Sequence, residues 1–396
     1  MLADRVNRIH VSPTMQIASE AKRMRAEGIN IIDLSVGEPD FPTPHNIKEA
    51  GKTAIEENHT KYTINSGTIE LRKAISAKLK RDNGLNYSLN EIIVSNGVKQ
   101  AVFNTIFSLI GKDDEVIIPA PYWVSYPDMV NLAGGKPVIV PAAEQNGFRI
   151  TADQLEKAIS PKTKLFILCN PSNPTGSAYN KEQLNELAEV LKKKDIFILS
   201  DEIYEKLIYD GFRFISFPSL SDDLKRKTIL VNGVSKAYSM TGWRIGYAAA
   251  EEVVIEAMNK IQSHTTSHAS SISQFATIEA LTGPQYVIDE MLDQFNNRRE
   301  YLYRELTSIE GISCYNPEGA FFLFPNVSHY FNRSTDVFEI KNSFDFAMHL
   351  LYEAKIAVVP GSAFGAKNNL RISYATSMEN LIEAVKRFKE MIGKLK

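Results

Sequence analysis

Between about residues 90 and 250 the sequence alternates short apolar runs with longer stretches of helical periodicity. Most of these runs show no alternation of polar and apolar residues, which is typical of strands that are covered on both faces. Strands that alternate with helices in this way predict an α/β fold with a mostly parallel sheet flanked by helices. The seven predicted strands are 91–95, 115–119, 136–141, 164–170, 196–202, 228–233 and 244–250.

The pattern changes after about residue 290, where a long polar helix, three shorter strands and a final helix predict a smaller α+β domain. We therefore expect three parts along the chain. Residues 1–45 form an N-terminal arm and part of the small domain, 46–289 form the large domain, and 290–396 form the small C-terminal domain. The segment 331–342 is the best candidate for a loop.

Composition excludes several classes of protein. A net charge of −2 over 396 residues provides no broad basic field for nucleic acid. The apolar runs are too short to cross a bilayer, and the N-terminus lacks the apolar segment of a signal peptide. The two cysteines, Cys169 and Cys314, have neither disulfide-framework nor metal-ligand spacing. We expect a cytoplasmic globular protein that binds no nucleic acid, membrane or metal.

Polar motifs follow five of the predicted strands at the point where each strand ends. In open α/β sheets, ligands collect outside the carboxyl ends of the strands. The motifs are VSNGVKQ, APYWVSY, NPSNPTG, SDEIY and VSKAYS. The sequence therefore predicts a site for a phosphorylated or aromatic ligand at this edge of the sheet.

Lys236 follows a strand end in VSKAYSMTGWRIGY, and Arg244 lies eight residues later. A single lysine is more often a surface side chain whose ammonium group reaches solvent. Alternatively, a desolvated lysine near other cations has a lowered pKa and becomes a nucleophile able to form a Schiff base. Arg244 and the hydroxyl of Ser235 would then contact a phosphate. The spacing of the two cations favours this second interpretation.

Three more polar or aromatic residues allow both a structural and a functional interpretation. Asp201 ends an apolar strand, where it could cap a helix or form a buried carboxylate that needs a cationic partner. Tyr204 could be an ordinary core tyrosine or contact the same ligand. Trp123 could be a core aromatic residue or offer its face to a planar ring. The helix that SNGVKQ begins has free amides suited to a phosphate.

The ordered set of motifs resembles the class I aminotransferases, which are pyridoxal-phosphate enzymes of fold type I. SKAYSMTGWR has the lysine and the arginine at the family's spacing. VGEPDFPTP, PYW, NPSNPTG, SDEIY and RISYATS follow the family's order, so the resemblance covers almost the whole chain. It implies an enzyme whose large domain binds pyridoxal 5'-phosphate (PLP), and a homodimer with shared active sites.

The resemblance also implies roles for the residues that surround the cofactor. Lys236 would form the Schiff base with PLP and shuttle a proton between the substrate and the cofactor. Asp201 would pair with the pyridinium nitrogen, and Trp123 would stack on the ring. Asn173 and Tyr204 would bind the ring oxygen.

The phosphate would be bound by residues from two subunits. The resemblance assigns Ser235, Arg244 and the helix start at Val98 and Lys99 to this role. Tyr62 matches a tyrosine that the neighbouring subunit contributes in the family.

The substrate contacts follow from the same resemblance. Arg371 in NLRISYATS matches the arginine that binds the substrate α-carboxylate through its planar fork. Gly37, Trp123 and Asn173 complete this part of the substrate site.

The chain is similar in particular to the subgroup that contains bacterial aspartate aminotransferases. In that subgroup a lysine at the start of the GVKQ helix binds the distal carboxylate, and Lys99 occupies this position. A dicarboxylic substrate is therefore favoured over an apolar one, the alternative being that Lys99 is solvated or serves the phosphate alone. Thr14 and Gln16 stand where members that use prephenate often carry hydroxyl groups, and Gln16 departs from that pattern. The segment 262–271 is expected to come from the partner subunit, with His264 and His268 unassigned.

The leading hypothesis is an aspartate aminotransferase, which transfers the amino group of L-aspartate to 2-oxoglutarate by a ping-pong PLP mechanism. Aromatic, kynurenine, alanine or prephenate aminotransfer and a PLP-dependent carbon–sulfur lyase are alternatives, because fold does not determine reaction. A ligand sensor without catalytic activity would normally be fused to a DNA-binding domain, but we expect no such domain before residue 30, and Lys236, Asp201 and Arg371 are all present. A nicotinamide dehydrogenase would need a G-x-G-x-x-G turn, which the sequence lacks.

Overall fold

The computed structural model describes residues 13–334 and 339–396 together with Ala3, Val6, Asn7 and Ile9. The helices of this part are α1 (Pro13–Ala26), α2 (His45–Glu56), α3 (Ile69–Asn83), α4 (Val98–Leu109), α5 (Ser125–Leu132), α6 (Ala152–Ala158), α7 (Lys181–Lys192), α8 (Asp222–Lys227), α9 (Glu252–Ser263), α10 (Ser271–Thr282), α11 (Tyr286–Thr307), α12 (Ser343–His349) and α13 (Met378–Ile392). Its strands are β1 (Ile32–Asp33), β2 (Ile92–Ser95), β3 (Glu115–Ala120), β4 (Lys136–Pro141), β5 (Thr163–Cys169), β6 (Phe197–Asp201), β7 (Thr228–Gly233), β8 (Gly246–Ala249), β9 (Phe322–Leu323), β10 (Arg333–Ser334), β11 (Glu339–Ile340), β12 (Ile356–Ala357), β13 (Val359–Pro360) and β14 (Leu370–Ser373).

The main sheet in the described residues has seven strands in the order β2–β8–β7–β6–β5–β3–β4. Strands β4, β3, β5, β6 and β7 run parallel, whereas β8 runs antiparallel to both of its neighbours. Each of the seven predicted strands overlaps one of these, and the prediction of a mostly parallel, helix-flanked sheet is confirmed. The last strand begins later than predicted, because Arg244 has a left-handed backbone with φ of 57°.

Both faces of the inner strands of this sheet are buried, which explains why these strands lack polar alternation. On β3, Val116 and Ile118 pack into a core on one face, and Ile117 packs into a core on the other. Leu184 and Leu187 from α7 join the second of these cores. Polar side chains are therefore displaced to the strand ends, where the ligand motifs lie.

The C-terminal part of the chain has its own apolar core, to which the N-terminal helix contributes. Ile17 from α1 shares this core with Phe295 from α11 and Phe388 from α13. The short strands β13, β14 and β9 form a three-stranded antiparallel sheet beside it. We keep the division at 1–45, 46–289 and 290–396 as a proposal, and note that α11 crosses the boundary at 289/290.

The expected loop 331–342 contains the short antiparallel pair β10 and β11, with residues 335–338 outside the described ones. Throughout the described residues, each helix is too short or too polar to span a bilayer.

Candidate active site

A cavity of about 370 Å³ lies at the carboxyl ends of β5, β6 and β7, beside the first turn of α4. Eleven of the twelve predicted site residues line it. They are Gly37, Val98, Lys99, Trp123, Asn173, Asp201, Tyr204, Ser235, Lys236, Arg244 and Arg371. The exception is Tyr62, whose side chain is 94% exposed on the surface of the single chain.

Lys236 lies in the turn that follows β7, and its side chain points into the cavity. Its Nζ donates a hydrogen bond of 2.5 Å to the carbonyl oxygen of Gly37. Burial lowers the pKa of Lys236 to about 8, and the positive charge of Arg371 adds to this effect. An appreciable fraction of the amine is therefore neutral near physiological pH, as a nucleophile or base requires.

Asp201 is the last residue of β6 and is buried. It caps no helix, since a turn follows it at residues 203–206. Tyr126 donates a hydrogen bond of 2.7 Å to its Oδ2, and the amide of Ile203 donates one of 3.3 Å to its Oδ1. Burial raises the pKa of Asp201 to about 6, although these hydrogen bonds oppose the rise.

Arg371 lies on β14, and its side chain is buried rather than on the surface. Its Nη1 donates 3.1 Å to Oδ1 of Asn173, and its Nη2 donates 2.6 Å to the carbonyl oxygen of Ser35. Its Nε is buried without a hydrogen-bond partner among the described residues. Burial lowers the pKa of Arg371 to about 10, so it remains cationic at neutral pH. The guanidinium of Arg371 is therefore suited to bind a carboxylate, which would accept hydrogen bonds from its remaining N–H groups.

The first turn of α4 and the Arg244 guanidinium form one polar wall of the cavity. The helix has Gly97 at its N-cap, with φ of 79°. Arg244 donates 2.9 Å to the carbonyl oxygen of Thr241 and 3.1 Å to that of Asn96. A Cβ at Gly97 would overlap the guanidinium, so glycine is needed for this close approach. Amides at a helix start together with an arginine form an anion site.

An aromatic wall and a second cation complete the cavity. Lys99 Nζ lies 5.1 Å from the centre of the Trp123 ring, which is within range of a cation–π contact. Burial lowers the pKa of Lys99, and the nearby charge of Arg244 lowers it further. Tyr204 is buried, and its hydroxyl shares a hydrogen bond with Asn173.

Four residues that line the cavity were not predicted as site residues: Tyr126, Cys169, Ile203 and Thr241. Tyr126 follows Trp123 by three residues, and this spacing is the feature of the sequence that could have indicated Tyr126 as a site residue. Cys169 stands opposite Asp201 in the sheet register, and burial raises the pKa of its thiol to about 12. The thiol therefore stays protonated at neutral pH.

The residues predicted to face a partner lie outside the cavity of the single chain. The Tyr62 ring meets the His268 ring edge to face, with 5.6 Å between ring centres. His264 follows the end of α9. Gln16 was expected near the distal carboxylate of the substrate, but its side chain is exposed and does not line the cavity. The side chain of Thr14 lies outside the described ones.

The donor set fits PLP. A buried carboxylate requires a cationic partner, and among the described residues no salt bridge reaches Asp201. A protonated pyridine nitrogen supplies that cation, while Lys236 offers an amine for the aldehyde. Trp123 offers a flat face, and the wall formed by Arg244 and α4 offers donors for the phosphate.

Comparisons with known proteins agree with this geometry. The model of the family "Aminotransferase class I and II" matches residues 29–388. An aspartate aminotransferase of Bacillus subtilis is 47% identical over 393 residues, which cover 99% of each chain. An aspartate/prephenate aminotransferase of Nitrosomonas europaea is 47% identical over 395 residues, covering 99% of this chain and all of the other.

Solved structures show the same relationship. The crystal structure of an aspartate aminotransferase from Rhizobium meliloti superimposes with a TM-score of 0.97 at 45% identity, with full coverage of both chains. The Thermus thermophilus aspartate aminotransferase with maleate gives a TM-score of 0.93 at 39% identity over 99% of each chain. The chain therefore belongs to the class I and II aminotransferases and is a PLP-dependent enzyme of fold type I.

Proposed function

We propose that this enzyme transfers the amino group of L-aspartate to 2-oxoglutarate, and that it works as a homodimer. The observation that carries the proposal is the placement of Lys236, Asp201 and Arg371 in one cavity, with the second cation Lys99 on its wall. Two cations suit the two carboxylates of a dicarboxylic amino acid. The names of the relatives from Bacillus subtilis and Rhizobium meliloti support the same substrate.

Lys236 is the residue that we expect to move the proton. When bound, PLP supplies an electron sink for the charge that develops at the substrate Cα. The neutral amine of Lys236 removes the Cα proton and later returns a proton on the cofactor side. A pKa lowered to about 8 lets the same nitrogen serve as base and then as acid at neutral pH.

Asp201 and Tyr126 hold the opposite end of the cofactor site. The ionised Asp201 carboxylate would bind the protonated ring nitrogen, and the Tyr126 hydroxyl fixes the orientation of that carboxylate. Tyr204 and Asn173 would bind the ring oxygen, while Ser235, Arg244 and the backbone amides of Val98 and Lys99 at the start of α4 would bind the phosphate.

Arg371 would orient the substrate through its α-carboxylate. Asn173 and the Ser35 carbonyl already hold two of its nitrogens, so the guanidinium is oriented before the substrate enters. Gly37 lies beside this guanidinium, where a Cβ would come within 3.9 Å of its nitrogens. Lys99 would bind the distal carboxylate.

The dimer is part of the proposal because Tyr62 projects into solvent from the single chain. We assign Tyr62 to the phosphate site of the partner subunit, as the resemblance to the class I aminotransferases implies. The cysteines Cys169 and Cys314 are both free, which fits the cytoplasmic location that we propose.

The test is a panel of half-reactions with the purified holoenzyme. Aspartate and glutamate should each change the absorbance of the bound cofactor quickly, whereas alanine and phenylalanine should react slowly. A fast response to an apolar amino acid and none to aspartate would refute the assignment. Prephenate with an amino donor belongs in the panel, because several relatives are named aspartate/prephenate aminotransferases. Lys236→Ala should lose both the covalent chromophore and turnover.

Lys99→Ala separates the dicarboxylate assignment from a role in phosphate binding. The variant should lose far more activity with aspartate than with alanine, since only aspartate has a distal carboxylate that would be left unpaired. Lys112→Ala, an exposed lysine outside the cavity, is the matched control. Equal losses with both amino acids would show that Lys99 serves the phosphate alone.

A further inference from the structure

The side chain of Gln100 connects two parts of the chain that meet at α4. Gln100 lies in the first turn of this helix and does not line the cavity. Its Oε1 accepts hydrogen bonds from the backbone amide of Asn96 at 2.6 Å and from Asn96 Nδ2 at 3.2 Å. Both donors of Asn96 therefore depend on one oxygen atom.

Asn96 in turn holds the guanidinium that faces the proposed phosphate. The carbonyl oxygen of Asn96 accepts from Arg244 Nη2, and that of Thr241 accepts from Arg244 Nη1. Arg244 has φ of 57°, a backbone conformation that non-glycine residues seldom adopt. The Cα–Cβ bond of Arg244 therefore points in an unusual direction, and the hydrogen bonds to these two carbonyl oxygens hold the guanidinium in place.

The other end of the Gln100 amide reaches the segment that follows α9. Gln100 Nε2 donates to the Thr266 hydroxyl, and the Thr266 amide donates 3.2 Å to the Gln262 carbonyl oxygen. The Gln262 side chain is buried and donates to the carbonyl oxygens of Asn65 and Val94. The segment is thus anchored to the interior of the large sheet through β2.

We propose that Gln100 is a positioning residue that orients Arg244 toward the cofactor phosphate through Asn96, with Thr266 as its anchor. An amide is suited to this role because it carries an acceptor for Asn96 and a donor for Thr266 on one planar group. The inference rests on the proposed phosphate role of Arg244. It also connects the phosphate site to the segment 262–271, which we expect to face the partner subunit.

The test compares PLP with pyridoxal, which lacks the phosphate. The full-length holoenzyme is resolved from its cofactor, and the dissociation constants for both compounds are measured by absorbance and fluorescence titration. Gln100→Leu should weaken the binding of PLP by about 2- to 12-fold, the net value of one ordinary hydrogen bond, and change pyridoxal binding by less than twofold. Thr266→Val removes the hydroxyl that accepts from Gln100 Nε2 and donates to the Ser267 carbonyl oxygen, and it should act in the same direction with a smaller effect.

Controls separate positioning from a general loss of structure. Gln183→Leu removes a helix-capping glutamine on α7 that does not line the cavity, and it should leave the preference for PLP over pyridoxal unchanged. If Gln100→Leu does not fold, Thr266→Val decides the question. Equal weakening of PLP and pyridoxal by both variants, or no weakening by either, would overturn the proposal.

Arg244→Gln distinguishes failure of this inference from failure of the proposed phosphate site. If Arg244→Gln reduces the preference for PLP but Gln100→Leu and Thr266→Val do not, only the positioning role fails. If Arg244→Gln leaves the preference unchanged, the phosphate role of Arg244 fails and the positioning role fails with it.

Discussion

Replacing Tyr126 with phenylalanine tests whether the cavity depends on the orientation of the Asp201 carboxylate. The substitution removes one hydroxyl and leaves the aromatic ring, which packs edge to face on Trp123 with 5.2 Å between ring centres. Both Tyr126 and Asp201 are buried, so water cannot easily replace the lost donor. The pKa of Asp201, already raised to about 6, should rise further because a hydrogen bond that lowers it is lost.

The magnitude follows from the chemistry of the bond. A hydrogen bond to a charged group contributes about 1.5 to 3 kcal/mol, which corresponds to about 10- to 150-fold in an equilibrium or rate constant. Only the part of this energy that differs between ground state and transition state affects turnover. We therefore expect kcat for aspartate to fall by about tenfold, and cofactor affinity to fall by a similar factor.

The assay is the pH dependence of cofactor affinity, measured with cofactor-free protein. Binding that requires an ionised Asp201 should weaken as the pH falls through about 6, and in Tyr126→Phe this decline should begin at a higher pH. Tyr179→Phe is the matched control, since its buried hydroxyl accepts a hydrogen bond from the Ile150 amide outside the main cavity. If both variants show the wild-type pH profile, the reasoning about Asp201 is wrong.

Three further predictions test the same site in other ways. Asp201→Asn should stabilise the cofactor-free chain by about 1 to 3 kcal/mol at pH 8 and by little at pH 4, measured by thermal and denaturant unfolding, while transamination is lost. Gly97→Ala should displace the Arg244 guanidinium and weaken PLP binding at least tenfold, because the new Cβ would overlap that group and because a backbone φ of 79° is strained for alanine. Unchanged curves in a PLP titration would contradict this prediction. His268→Ala should weaken PLP binding because it removes the ring that packs against Tyr62, whereas His268→Phe keeps an aromatic ring there and should not weaken it. Tyr62→Phe tests whether the tyrosine hydroxyl contributes to PLP binding.

Much of the fold could be predicted because its signal is local. In β3 the consecutive residues Val116, Ile117 and Ile118 are apolar and pack on alternate faces, so the sequence itself indicates that both faces are covered. The same pattern places polar motifs at the strand ends. Lys236 and Arg244 belong to one such motif, and both line the cavity.

The contacts that tune these residues could not be predicted, because their partners are remote in sequence. Tyr126 and Asp201 are separated by 75 positions, and Arg371 and Asn173 by 198. No periodicity or spacing rule relates such pairs. The turn after Asp201 is a related case, since an aspartate at a strand end has the same local signature whether a helix or a turn follows.

Asp201 and Lys236, which would both contact the cofactor, determine at which pH the cofactor should stabilise this enzyme most. Burial raises the pKa of Asp201 to about 6, so its contribution to stability falls as the pH rises from its usual value of 3.8 through 6. Burial lowers the pKa of Lys236 from 10.5 to about 8, so its contribution rises as the pH rises through 8. Between about pH 6 and 8 both groups are charged, which is the least favourable state for each.

A bound cofactor would remove both penalties, because its ring nitrogen pairs with Asp201 and its aldehyde binds the amine of Lys236. The increase in melting temperature on adding PLP should therefore be largest between about pH 6 and 8 and smaller at pH 5 and pH 10. The double variant Asp201→Asn/Lys236→Met should be more stable than the cofactor-free wild type in that window, and its melting temperature should vary less with pH. If the increase in melting temperature on adding PLP is the same from pH 5 to pH 10, these two charges do not control the stability of the cofactor-free protein.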